Sequence, residues 1–178
     1  MTGAMTANTA GSEGARQMLR HAVATLAYRA AKVLRDFPRD AVETHASPVT
    51  RTPLALVAHL GDLMEWAVGM ARGVNRWRAE PHGTWEHMTG RFFAGLADLD
   101  AVLSHPPPET LAAETIFQGP VADALTHVGQ LAMLRGIGGK AVRPESYARA
   151  EIEVGRVGQE QAAPRAEFDG DASPPPPR

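Results

Sequence analysis

The chain of 178 residues contains no cysteine. That absence excludes disulfides, cysteine-based zinc sites and a thiol nucleophile supplied by the chain itself. Any metal ion held here must use His, Asp or Glu. Charge of one sign is also lacking: the formal net charge is -2 and the arginines are scattered. No nucleic-acid footprint and no membrane-surface patch is therefore expected. No apolar run is read as long enough to span a membrane, and "MTGAMTANTAGSEGARQ" lacks both the early positive charge and the apolar core of a secretory signal. A cytoplasmic address follows as the simplest expectation. A Gly-rich phosphate loop, a GxSxG nucleophile elbow and the helical motif of zinc proteases are missing too, as is any internal repeat.

What is present is ordinary for a folded protein. Apolar residues make up 44% of the chain and charged ones 21%, which is too hydrophobic for a disordered chain and enough for one core.

Four helical patterns can be read. The first, about 13–36, carries Leu19, Val23, Leu26, Ala30, Val33 and Leu34 at three- and four-residue steps. The second opens at "TP", with Thr52 as N-cap and Pro53 at the first helical position, and runs to about Arg72. Its apolar stripe of Leu56, Leu60, Leu63 and Ala67 shares the helix with His59, Trp66 and Met70. The third, within "TWEHMTGRFFAGLADLDAVLSH", places Phe92, Leu96, Leu99 and Leu103 on one side and stops at "HPPP". The fourth, "GPVADALTHVGQLAML", puts Pro120 at its first position and ends at the glycines of "RGIGG".

With no strand-like alternation before residue 140, the expected fold is all-α, a four-helix bundle spanning 13–139. The loops 37–51, 73–83 and 106–118 are longer than a minimal bundle needs, which leaves the wiring open. Residues 140–170 are expected to form an irregular arm packed on the bundle through Tyr147, Ile152 and Val154. Residues 1–12 and the Pro-rich 171–178 are expected to be disordered.

Seven histidines are present, and only His59 and His127 sit mid-helix on an apolar face. Asp123 lies four residues before His127, so the two side chains stand one above the other, with Gln130 and Leu134 continuing the stripe. A bundle-core metal site needs three groups converging from facing helices, one pair of them at helical spacing. His59, Asp123 and His127 meet that demand. Counted from Pro53 and Pro120, His59 lies roughly 9 Å along its helix, between roughly 4.5 Å and 10.5 Å for the other two. Parallel helices would bring the three to one level, whereas antiparallel helices would demand a lengthwise offset. Structural alternatives stand beside this: Asp123 as a helix-start carboxylate favoured by the macrodipole, and each His as a core imidazole bonded to a carbonyl.

Further candidates are Asp62, one turn past His59, as an acceptor for that imidazole, and Gln130 as the equivalent for His127 or as a substrate contact. Trp66 and Trp85 are candidate pocket walls. "HGTWEHM" adds a weaker cluster of His82, Glu86 and His87 at a helix start.

The pair "TPLALVAHLGDLMEWA" and "GPVADALTHVGQLAMLRGIGGKAV" resembles the DinB-like superfamily, a set of four-helix-bundle metalloenzymes, over roughly residues 15–140. The most specific run is "ALTHVGQLAMLR". The resemblance implies one metal-binding His on the second helix, His59, and an HxxxH pair on the fourth, which falls on Asp123 and His127. The carboxylate at Asp123 departs from the three-histidine pattern and is similar to a mycothiol-dependent maleylpyruvate isomerase branch of that superfamily. What this implies is a divalent metal, zinc first and nickel, iron or manganese as alternatives. It also implies a low-molecular-weight thiol as cosubstrate, in transfer or isomerisation of a small-molecule substrate. Metal-assisted hydrolysis needs the same ligands, and a non-catalytic bundle serving as an interaction module is the third possibility. The apolar content of helices one and three would permit a homodimer.

Overall fold

The computed structural model describes residues 2–168, and side-chain environments from residue 12 onward. The chain is all-α, with no strand among the described residues beyond an isolated antiparallel bridge between Glu145 and Glu167. Helix α1 covers Thr2–Leu34, α2 Pro53–Ala71 and α3 Trp85–Ser104. The last bundle helix is composite: α4, Ala113–Ile116, passes through a π-helical segment, Phe117–Val121, into α5, Ala122–Ile137. The backbone is already helical from Thr2, well ahead of the apolar periodicity that begins near Glu13 and of the disorder expected for 1–12. The expected disorder of 171–178 lies outside the described residues.

Local chemistry sets most of the helix ends. Thr52 and Thr84 each accept a backbone N–H three residues on, from Ala55 and His87, and so satisfy donors left over at the starts of α2 and α3. Gly73 and Gly139 follow the ends of α2 and α5 at φ of 82° and 80°, a region costly for any residue with a Cβ. In both places the N–H of the following residue reaches back over the last turn, Val74 to Gly69 O and Lys140 to Arg135 O, closing a Schellman motif.

Pro120 does not start the last helix, as its sequence position suggests, but sits inside it. Its ring would collide with the carbonyl four residues back in a regular helix. The widened π turn relieves this: Ala122 N–H bonds Phe117 O, five residues back. Ala112 and Ala113 give no side-chain cap, so the true start left no mark in the sequence.

Cross-helix contacts fix the wiring. Arg20 grips Asp100 with two bonds of 2.9 Å, Arg16 reaches the Leu103 carbonyl, and Phe37 beyond α1 stacks on Trp85 at the start of α3. Those two helices are antiparallel. Gly61 abuts Arg91 and Gly95 abuts Met64, so α2 and α3 run parallel, and residues 72–84 must cross back along the bundle. Leu56 near the start of α2 shares a wall with Leu134 near the end of α5, while Trp66 touches Gly119, so α2 and α5 are antiparallel.

The core that results is mainly aliphatic, with Phe37, Phe92 and Phe93 also buried: Val23, Leu26, Leu60, Met64, Phe92, Leu96, Leu99 and Leu131 are all fully buried. Burial of one such leucine is worth about 2 kcal/mol. α2 is apolar on more than one face because it is packed between α3 and α5. At 19 residues and a mean hydropathy of 1.3 it has the length and composition of a membrane span, contrary to the expectation that no such run exists, although two-thirds of it is buried inside the protein.

The arm packs through two of the three expected residues. Tyr147 meets Tyr28 edge-on at 6.2 Å under the Arg29 guanidinium, and Ile152 is partly buried. Val154, in contrast, is exposed, and Val157 takes the buried place. Glu145 enters the interior, where it accepts from Tyr28 Oη and Lys32 Nζ, each at 2.7 Å.

Candidate metal centre

Three side chains from two helices converge. His59 Nε2 lies 3.5 Å from Asp123 Oδ2, and His127 Nε2 lies 3.3 Å from Asp123 Oδ1. The imidazole rings stand 4.9 Å apart and nearly perpendicular. One donor atom from each residue falls within 4.8 Å of the others, and among the described residues no other group of three acidic or histidine side chains does this.

The helices that bring them together are antiparallel, which overturns the parallel arrangement that would equalise depths counted from Pro53 and Pro120. The required offset comes from the early start of the last helix. Thr110 Oγ1 donates to Ala71 O at 2.7 Å and Leu111 N–H to Met70 O, which pins the entry of α4 to the C-terminal end of α2. From that shared level His59 is twelve residues back along α2, and Asp123 and His127 are ten and fourteen residues on from Ala113. The heights are then roughly 18 Å, between roughly 15 and 21 Å.

Exposure divides the roles. The side chains of His59 and His127 are 18% and 13% exposed, while that of Asp123 is 46% exposed and faces the mouth. Burial, then the positive charge of Arg51 and the neighbouring His127, hold the His59 imidazole below its ordinary pKa, partly offset by Asp123. His59 is therefore neutral at pH 7, the form that coordinates a cation. Gln130 Oε1 lies 2.8 Å from His127 Nδ1. With the amide oxygen accepting, the proton sits on Nδ1 and the Nε2 lone pair faces Asp123.

The donor set fits a divalent ion. Two imidazole nitrogens and one carboxylate, with no sulfur, suit zinc and other borderline cations. The carboxylate turns one oxygen to each imidazole, Oδ2 to His59 and Oδ1 to His127, and one donor from each residue lies within 4.8 Å of the others. A His-Asp-His group in this geometry could hold a metal ion.

Other candidates go elsewhere. Asp62 does not support His59: its Oδ1 accepts from Arg91 Nη2 at 2.7 Å and from the Glu80 N–H at 3.2 Å, tying the crossover to α2 and α3. Trp85 is buried against Phe37 as a core residue and forms no wall of the site. Glu86 pairs with Arg39, and His82 and His87 join no three-residue donor group. Trp66 turns to the crossover, its Nε1–H donating to Asn75 Oδ1 at 2.8 Å.

Trp77 was not anticipated. It lies on the crossover, its ring 5.5 Å from that of His59 and 5.7 Å from that of Trp66. Only the tertiary course of residues 72–84 puts it there, and "VNRWRAE" carries no periodicity that would reveal this.

Comparison of the chain with protein-family models, with curated proteins and with solved structures found no match.

Proposed function

We propose that this chain is a divalent-metal-dependent enzyme of the DinB-like type, with His59, Asp123 and His127 as the protein ligands. The observation that carries the proposal is the convergence of those three residues, from two antiparallel helices, with one donor atom of each within 4.8 Å of the others. Zinc is the first choice on ligand chemistry, with nickel, iron and manganese as alternatives. Three protein ligands would leave a position open, the arrangement of catalytic rather than structural sites.

A bound divalent ion would supply Lewis acidity, lowering the pKa of a thiol or water at the open position. We favour a low-molecular-weight thiol as cosubstrate, in group transfer or isomerisation. The chain has no cysteine to serve as its own nucleophile. Its residues bind and orient: Gln130 sets the His127 tautomer, neutral His59 offers a lone pair at pH 7, and Asp123 contributes the charge. Trp77 packs edge-on against His59, with Trp66 edge-on behind it.

The test is the elemental content of protein purified without added metal, alongside His59→Ala. Near-stoichiometric metal in the parent and none in the variant supports the site and justifies a screen of thiol-dependent reactions, with hydrolysis as the control chemistry. A chain that stays folded and takes up no divalent ion even when one is supplied rejects the enzyme reading and leaves an interaction module.

A further inference from the structure

Next to His127 the groove between the start of α2 and the second half of α5 opens into a cavity of about 320 Å³, closed on the far side by the loop before Thr52. That volume is at the lower end of pockets that hold small ligands. Leu56, Met133 and Leu134 make its apolar lining, and its polar edge is formed by Arg51, His127 and Gln130. The Arg51 side chain is exposed and, among the described residues, takes part in no hydrogen bond or ion pair.

We propose that this cavity binds the carboxylate of a small amphipathic substrate, with the carboxylate on the Arg51 guanidinium and the apolar body against Leu56 and Met133. The inference rests on the metal-site reading for one point, that the reacting end is the end nearest His127. A guanidinium presents two parallel N–H donors, matched to the two oxygens of a carboxylate. A phosphate would bring more charge than one arginine balances, and no lysine lines this cavity to assist. A neutral ligand would leave the guanidinium without a partner, and a cationic one would meet it directly. Arg51 and the metal-site residue His127 line the same cavity. The mouth of a loaded site would therefore be positive, which draws anions toward it.

The experiment is calorimetric titration with benzoate and with its uncharged counterpart benzamide, on the protein as purified and again after chelator treatment. Wild type should bind benzoate tighter than benzamide by roughly ten-fold or more, the increment of a charge-assisted hydrogen bond, both with and without metal. Arg51→Gln should lose that discrimination and Arg51→Lys should keep part of it. The guanidinium supports no other contact, so both variants should retain the parent's circular dichroism and metal content. Equal affinity for the two probes, no binding of either, or undiminished discrimination in Arg51→Gln overturns the proposal. Discrimination that depends on Arg51 in a chain that binds no metal would leave the carboxylate site standing and reject the metal reading alone.

Discussion

Gln130 accepts the Nδ1–H of His127 across 2.8 Å, one turn further along the same helix. This contact fixes which ring nitrogen faces Asp123, and partners of this kind hold metal-ligating imidazoles in place in metalloproteins. Gln130→Leu should weaken metal affinity about 10- to 100-fold with the three ligands intact. Gln130→Glu, which keeps an acceptor and adds charge, should bind at least as tightly as the parent. Competition with a chromophoric chelator measures both, and an unchanged affinity in Gln130→Leu would show that the contact orients nothing.

Asp123 bridges the two imidazoles, one oxygen toward each. Its removal should therefore cost more than its exposed position suggests. With zinc at a hundred times its dissociation constant, linkage stabilises the parent by about 2.7 kcal/mol. Asp123→Ala should lose this zinc-dependent stabilisation, and so should the Asp123→Ala, His127→Ala double variant. Asp123→His keeps a donor at the same i, i+4 position and should regain it. Thermal unfolding with and without zinc separates the three outcomes. A zinc shift that survives in the double variant would place the ion elsewhere.

The His59 imidazole gives the metal-free protein a pH dependence of known sign. Its folded-state pKa lies below the ordinary 6.5, because burial and then Arg51 and His127 disfavour the charged ring. The unfolded chain then binds more protons than the native one in the window below 6.5. The stability contributed by neutral His59 is present above that pH and is lost as pH falls toward the folded-state value. Urea unfolding of metal-free protein at pH 7.5 and 5.5 should show a larger loss in the parent than in His59→Leu. Identical pH slopes in the two would mean the ring is not held neutral.

How much of this was legible in the sequence depends on the kind of signal. Helix α2 was readable end to end because Thr52 and Pro53 mark its start by local chemistry and the apolar stripe continues to its last turn. The apolar stripe of α3, Phe92, Leu96, Leu99 and Leu103, is fully buried for the same reason. Pro120 misled, because proline marks a helix start in most contexts and here sits within a π turn that tertiary packing supports. The chemical identity of the triad was local, since Asp123 and His127 are neighbours at helical spacing, but its partner His59 could be placed only once the direction of α2 against α5 was known. Trp77, Arg51 and the Arg91–Asp62 bond come from loops and cross-helix contacts, and no periodicity encodes those.

The clasp between arm and bundle makes a separate prediction. The Glu145 side chain is fully buried between Tyr28 Oη and Lys32 Nζ, and Lys32 also holds Glu167 at 2.8 Å. Burial and the Glu145 carboxylate keep the Tyr28 phenol well above its ordinary pKa. Burial alone would lower the Lys32 pKa, but its bonds to Glu145 and Glu167 outweigh that and leave it raised. Glu145→Ala leaves the phenol without its acceptor and the ammonium with one partner of two. The expected loss is about 3 kcal/mol, the lower end for breaking a buried pair because Glu167 remains. Replacing both members, Lys32→Met with Glu145→Met, removes the desolvated charges together and should cost much less than either single change. Urea denaturation of the four proteins forms a double-mutant cycle, with limited proteolysis reporting whether the arm has come away. Release of the arm without loss of the bundle's helical signal would show that residues 140–168 fold onto a bundle that stands without them. Additive single and double effects would mean that the bond between Lys32 and Glu145 contributes nothing to holding the arm.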